Sequence, residues 1–279
     1  MRKTILITGS TDGIGLATAT AMLSQGHRVL LHGRDAEKLA QVYTELTGQA
    51  GNPRVEKYLA DLSVMAEVET LAKAIARQHS KLDVLINNAG VFRVAQTTTN
   101  DGLDVRFAVN TLAPYLLTLR LLPLLGESGR VINLSSAAQS PVNIEALAGR
   151  LQIPDAFEAY AQSKLALTMW SLQLAHTLGR SGPAILAVNP GSMLGSKMVR
   201  EGFGVAGGDL AKGVDILCRA ALTEEFADAS GQYFDNDSGA FSNPHPDALS
   251  PQKRAEVVHA IENTLGGLRC TSTDVQLWL

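Results

Sequence analysis

The sequence predicts an α/β protein: one domain with a doubly wound parallel sheet of about seven strands and helices on both faces. Three observations carry this. Short apolar runs alternate with helical segments along the whole 279 residues. The strand runs are nearly continuous in apolar residues, as a sheet buried on both faces requires. Hydrophobic residues make up 46% and charged residues 18%, enough for a large core and too apolar for a disordered chain.

The elements follow in order. Lys3–Thr8 is a short apolar run ended by glycine, and Ile14–Gln25 reads as a helix. His27–His32 reads as the second strand, and Ala36–Leu46 as a helix opened by Asp35 as N-cap. Arg54–Leu59 is the third strand. Val64–Gln78 carries Val64, Val68, Leu71, Ala72 and Ile75 at helical spacing. Leu82–Ile86 is the fourth strand, Leu103–Leu125 a long helix, Arg130–Leu134 the fifth strand and Phe157–Leu178 a second long helix. Ala184–Val188 is the sixth strand; Ala206–Leu222, Gly231–Asp235 and Pro251–Leu265 add helix, strand and helix. No repeat or long linker divides the chain, so residues 1–268 read as one domain and 269–279 as a tail. The tail's apolar end, Val275–Leu279, reads as docked on the domain, docked on a partner subunit, or frayed.

Charge and composition exclude several classes. The net charge of −3 argues against a nucleic-acid partner, which wants a basic face. Cys218 and Cys270 cannot build a disulfide framework or a four-cysteine zinc site. His27, His32, His79, His176, His245 and His259 include no pair four apart on a helix, so no metal is expected. The start lacks the long apolar region of a secretory signal. The most apolar stretch, Leu112–Leu125, holds Pro114, Arg120 and Pro123 and is too short for a membrane span. A cytoplasmic protein is the expectation.

The first strand runs into Gly9-Ser10-Thr11-Asp12-Gly13-Ile14-Gly15. Glycines there let the chain turn sharply and bring backbone N–H groups close to a pyrophosphate, and the following helix adds its positive end. Thr18 stands where the common dinucleotide fingerprint has its third glycine, so this is a different turn. By itself it reads equally as a tight strand–helix connection. Its place after the first strand favours a ligand.

The spacing Thr-Gly-x-x-x-Gly-x-Gly, beginning at Thr8, resembles the short-chain dehydrogenase/reductase family, and six further landmarks agree. They are Asp61-Leu62 after the third strand, Asn87-Asn88-Ala89-Gly90 after the fourth, Asn110 in the long helix, Ser135-Ser136 ending the fifth strand, and Tyr160-x-x-x-Lys164. Pro190-Gly191 after the sixth strand completes the set, which spans roughly residues 3–200. The pattern is closest to retinol-dehydrogenase-like and WW-domain-oxidoreductase-like members. The resemblance implies a Rossmann fold and an oxidoreductase moving a hydride between a nicotinamide cofactor and a carbonyl or alcohol carbon. It also implies a homodimer or homotetramer joined through the long helices.

Tyr160 and Lys164, four apart, share a helix face. A phenol titrates near pH 10, and a neighbouring ammonium is expected to pull that down and make Tyr160 a usable general acid–base. Ser136 can hydrogen-bond the substrate oxygen where charge develops. By resemblance Ser136 rather than Ser135 is catalytic, Asn110 holds a water on the proton path, and Lys164 bonds the nicotinamide ribose. The cofactor-binding set implied is Gly9, Ser10, Thr11, Asp12, Gly13, Ile14, Gly15, Arg34, Asp61, Leu62, Asn88, Ala89, Gly90, Tyr160, Lys164, Pro190, Gly191, Ser192 and Ser196. Ser196 stands in for a threonine that contacts the carboxamide, shifted by one.

The second strand ends His32-Gly33-Arg34-Asp35. Gly33 stands where an NAD-selective acid would be, and Arg34 suits a 2′-phosphate. Asp35 reads as the helix N-cap or as a ribose ligand. NADP(H) is favoured over NAD(H). The stretch Gln139–Ala159 is longer than in shorter members and reads either as a flap over the substrate or as a surface helix. With Met198, Phe203 and Val205 it points to a lipophilic substrate, while Lys197 and Arg200 leave an anionic one open. The rival reading is a catalytically silent NAD(P)-binding sensor or scaffold. An epimerase or dehydratase would need a longer carboxyl-terminal region than follows Lys164.

Overall fold

The computed structural model describes residues 1–48 and 54–269, so the tail from Cys270 onward lies outside the described residues. The strands are β1 (Thr4–Ile7), β2 (Arg28–Gly33), β3 (Val55–Leu59), β4 (Val84–Asn87), β5 (Arg130–Leu134), β6 (Ala184–Asn189), β7 (Tyr233–Asp235) and β8 (Ala240–Ser242). They form one sheet in the order β3-β2-β1-β4-β5-β6-β7-β8. The first seven are parallel. β8 is a short strand beyond the expected seven, folded back antiparallel on β7 with Tyr233 opposite Ser242. The order reverses between β1 and β4, and a crevice opens there at the carboxyl ends of the strands.

Strand side chains alternate between two cores. Ile5, Ile7, Val29, Leu31, Val84 and Ile86 face α1 (Gly13–Ser24), α2 (Ala36–Thr47) and, further on, α9 (Leu210–Leu222). Leu6, Leu30, Leu85 and Val131 face α3 (Met65–Gln78), α5 (Ala113–Leu125), α7 (Ala156–Leu178) and α11 (Pro251–Arg269). Each fully buried aliphatic side chain stabilises the fold by about 1.5–3 kcal/mol, which is why these strands carry no polar face.

The long helix expected over Leu103–Leu125 is interrupted. It begins as α4 (Val105–Phe107), widens into a π turn over Ala108–Leu112, and continues as α5. Asn110 sits in that wide turn, a feature that apolar periodicity does not reveal. By length and composition Val105–Leu125 could cross a membrane, but 72% of its most apolar window is buried within the fold. It is a core helix.

The helices expected to meet a partner subunit are covered from inside the chain. Residues 161–172 of α7 are all buried. Val257, Ile261 and Leu265 of α11 share a cluster with Leu167 and Trp170, and Tyr115 Oη donates to Glu262 at 2.8 Å. The long stretch before Tyr160 holds the short α6 (Ile144–Leu147), capped by Asn143 and seated against α11 with Ala146 and Leu147 fully buried. The 192–205 segment holds α8 (Lys197–Phe203), capped by Ser196, and the α9 helix starts at Leu210 behind its Asp209 cap rather than at Ala206. Between α9 and α11 lies α10 (Pro246–Leu249).

Candidate active site

A cavity of about 500 Å³ occupies the crevice. Its wall takes Gly9, Thr11, Asp12, Gly13, Ile14 and Gly15 from the turn after β1. Gly9 (φ +62°) and Gly13 (φ +51°) adopt backbone conformations that favour glycine. A side chain on Gly15 would collide with Asn88 Nδ2 and the Gly9 carbonyl. Asn88 Nδ2 donates to the carbonyls of Thr8 (2.8 Å) and Gly9 (3.1 Å), and Thr8 Oγ1 accepts the Asn88 and Ala89 amides at 3.0 Å. Asp12 caps α1 through the Gly13 amide at 2.7 Å. Among the described bonds, the Ile14 and Gly15 amides find no protein acceptor. Two free N–H groups at a helix start inside a glycine-lined wall fit a pyrophosphate.

At the next strand end, Gly33, Arg34, Asp35 and Lys38 line the cavity. A Cβ on Gly33 would stand 2.6 Å from the Thr11 methyl, so no acidic side chain fits there without displacing Thr11. Asp35 is the α2 cap, accepting the Lys38 amide at 3.0 Å. Lys38 Nζ pairs with Asp12 at 2.5 Å. Arg34 is exposed and has no anionic partner among the described residues. Asp61 and Leu62 join the wall after β3; Asp61 Oδ1 also accepts the Ser63 amide at 2.8 Å.

The four catalytic candidates lie around the β5 end. Ser135 turns inward, 2.6 Å from Thr168 Oγ1. Ser136 is the serine close enough to Tyr160 to lower its pKa; its Oγ accepts the Ala138 amide at 3.1 Å, and of the two serines it is Ser135 that lines the cavity. Lys164 Nζ donates to the Leu134 carbonyl at 2.7 Å and stands 5.7 Å from the Tyr160 ring centre. Burial lowers the Lys164 pKa to about 8. Burial raises that of Tyr160, and the Ser136 hydrogen bond draws it back in part. The lowering by Lys164 that the sequence leads one to expect is not seen: desolvation dominates at Tyr160, and the Lys164 Nζ is bonded to the Leu134 carbonyl. Both amide protons of Asn110 are committed, to the Val91 carbonyl and Ser163 Oγ at 2.9 Å each, while its Oδ1 accepts the Val91 amide at 2.8 Å. Its side chain holds the loop after β4.

Asn88, Ala89, Gly90, Pro190 and Ser196 also line the cavity. Ser10, Gly191 and Ser192 do not. Ser10 is fully buried, bonded to the His32 backbone, and Ser192 is drawn to Asp237 through its amide (2.8 Å) and hydroxyl (2.5 Å). Met198, read from the sequence as part of an apolar substrate loop, lines the far wall together with Phe92 and Gly202, which sequence reasoning did not single out. Phe92 packs against Tyr160 (5.2 Å between ring centres) and Phe157 (6.3 Å). A Cβ on Gly202 would stand 2.6 Å from the Phe92 ring. The run Gly90-Val91-Phe92 carries the signal, an aromatic two residues after the glycine that faces Lys164.

The model of the short chain dehydrogenase family matches residues 3–203. The chain belongs to the short-chain dehydrogenase family. Retinol dehydrogenase 13 of Mus musculus is 34% identical over 251 residues, 84% of this chain and 75% of that protein. The RhlG/NADP active-site complex of Pseudomonas aeruginosa superposes with a TM-score of 0.67 at 27% identity, covering 85% of this chain and 95% of that one. A short-chain dehydrogenase of Burkholderia cenocepacia in complex with NADP gives 0.66 at 26% identity, covering 84% and 95%. This short-chain dehydrogenase is thus an oxidoreductase of CH–OH and C=O groups. Among the described residues no group of three or more His, Cys, Asp or Glu is placed to hold a metal.

Proposed function

We propose that this short-chain dehydrogenase uses NADP(H) to reduce or form a carbonyl on a lipophilic small molecule, with Tyr160 as general acid–base. The carrying observation is the pairing of Tyr160 and Lys164 at one end of a cavity, with Ser136 close to Tyr160, whose other end is a glycine turn with free N–H groups. When bound, the nicotinamide supplies or accepts the hydride. The Ile14 and Gly15 amides hold its pyrophosphate, and Lys164 offers N–H groups to its ribose. Arg34, exposed and without an anion, suits the 2′-phosphate, and Gly33 leaves no room for the acid that would select NAD. Both structural neighbours described above hold NADP.

In reduction the Tyr160 hydroxyl gives its proton to the substrate oxygen while Ser136 Oγ hydrogen-bonds the same atom. Burial keeps the phenol protonated at neutral pH, the state that reduction needs. In oxidation the phenolate takes the alcohol proton. Phe92, Phe157 and Met198 present apolar surface beside Tyr160, and the mouse relative is named for retinol, a lipophilic alcohol. The silent-sensor alternative has no observation in its favour.

The test is oxidation of NADPH and of NADH by the purified protein against aldehydes and ketones of increasing apolar length. NADPH is preferred, longer substrates turn over faster, and Arg34→Ala raises the KM for NADPH about tenfold while sparing NADH. Equal use of the two cofactors by the wild type would reject the NADP assignment. Indifference to substrate length would reject the lipophilic one.

A further inference from the structure

One buried titratable side chain touches the glycine turn and takes no part in the proton chemistry. His32 lies at the end of β2 and is 2% exposed. Its Nδ1 is 3.0 Å from the Gly9 amide, and its Nε2 is 3.1 Å from the Ala60 carbonyl just after β3. An amide only donates, so Nδ1 is bare. A carbonyl only accepts, so Nε2 carries the proton. The two partners admit a single neutral tautomer. The His32 backbone grips the same turn: Ser10 N donates to the His32 carbonyl at 2.9 Å, and the His32 amide donates to Ser10 Oγ at 2.8 Å. From the other side Asn88 holds the turn's carbonyls. The turn is therefore clamped between β2 and β4, and among the described residues His32 alone extends the clamp to the β3 end.

We propose that His32 is a positioning residue for the nucleotide: its neutral ring, bridging the Gly9 amide to the Ala60 carbonyl, sets the distance between the glycine turn and the β3 end across which the adenosine half of the cofactor lies. This rests on the dinucleotide reading above. A proton on Nδ1 would face the Gly9 N–H donor-to-donor and open the bridge. Burial holds the ring's pKa down at about 4, against a raising influence from Asp61 on the β3 side. The other charged groups on this wall are Asp12 of the turn, paired with Lys38 of α2, and Arg34 and Asp35 after β2.

The test compares the full-length wild type with three variants by titration with NADP+ and with adenosine 2′,5′-bisphosphate, at a temperature where all are folded. His32→Leu removes both contacts. His32→Gln reaches toward Ala60 but offers Gly9 no acceptor. His32→Asn places an amide oxygen near the Nδ1 position and serves Gly9 alone. Loss of the bridge weakens both ligands about tenfold in His32→Leu and His32→Gln, and His32→Asn, which keeps the Gly9 contact without the bridge to Ala60, recovers only part of it. The imidazole 15N signals of the wild type report the Nε2–H tautomer at neutral pH. A fall in Tm with unchanged Kd in His32→Leu or His32→Gln would overturn the proposal, as would an Nδ1–H tautomer. A wild type that binds neither ligand would instead overturn the dinucleotide reading, and this inference with it.

Discussion

The nucleotide end of the cavity is held by hydrogen bonds to backbone, whereas the substrate end is held by side-chain packing. Around the turn, Thr8, Asn88 and His32 bond main-chain groups of Thr8, Gly9, Asn88, Ala89 and Ala60 at 2.8–3.1 Å. At the other end Phe92, Phe157, Tyr160 and Gly202 meet through ring contacts and a close helix approach. Backbone bonds are indifferent to which ligand side chain or ring arrives, so the first arrangement suits a constant ligand. Packed rings and a glycine seat change shape with single methyl groups, so the second suits a ligand that differs between relatives.

Four substitutions probe this contrast, the largest effect first. Tyr160→Phe removes the proposed proton donor and lowers kcat about a thousandfold in steady-state assays, with cofactor Kd unchanged. Gly15→Ala forces a methyl against Asn88 and the Gly9 carbonyl. It costs about 2 kcal/mol in denaturant unfolding and abolishes tight cofactor binding, measured by titration. Lys164→Met eliminates activity yet stabilises the ligand-free protein at neutral pH by about 1–3 kcal/mol, because a buried cation is replaced by an apolar chain of similar length. The sign follows from the lysine pKa, lowered to about 8 in the fold from 10.5. The unfolded chain binds the extra proton between these values, so the burial cost is complete below about pH 8 and fades as pH rises toward 10.5. The advantage of Lys164→Met in chemical denaturation should shrink over that window, and a constant advantage would refute this account. Gly202→Ala is the mildest: its Cβ presses on Phe92 and raises KM for bulky carbonyls about fivefold, leaving cofactor Kd unchanged. A change in Kd instead would mean that the two ends are not independent.

Much of the nucleotide end was legible along the chain, because its parts are short segments with strong local constraints. The positive-φ glycines at positions 9 and 13 and the Asp35 cap each follow from neighbouring residues. The shared face of Tyr160 and Lys164 follows from helical spacing. The substrate end was less legible: α6 is a single turn and α8 only about two, too short to show an apolar period, and Phe92 reads as any loop aromatic. The π turn around Asn110 is invisible because widening a helix by one residue leaves its composition unchanged.

The sequence by itself determined the alternating strands and helices, the glycine turn and the Tyr160–Lys164 pair, since these depend on periodicity and on residues a few positions apart. Only the tertiary structure decided that Ser136 faces Tyr160 while Ser135 turns to Thr168, and that Asp12 takes Lys38 and leaves Arg34 free. It also decided that burial sets the tyrosine and lysine ionisation, and that α11 covers α7. Those outcomes depend on partners tens of residues apart and on exclusion of water, and neither exists until the chain has closed on itself.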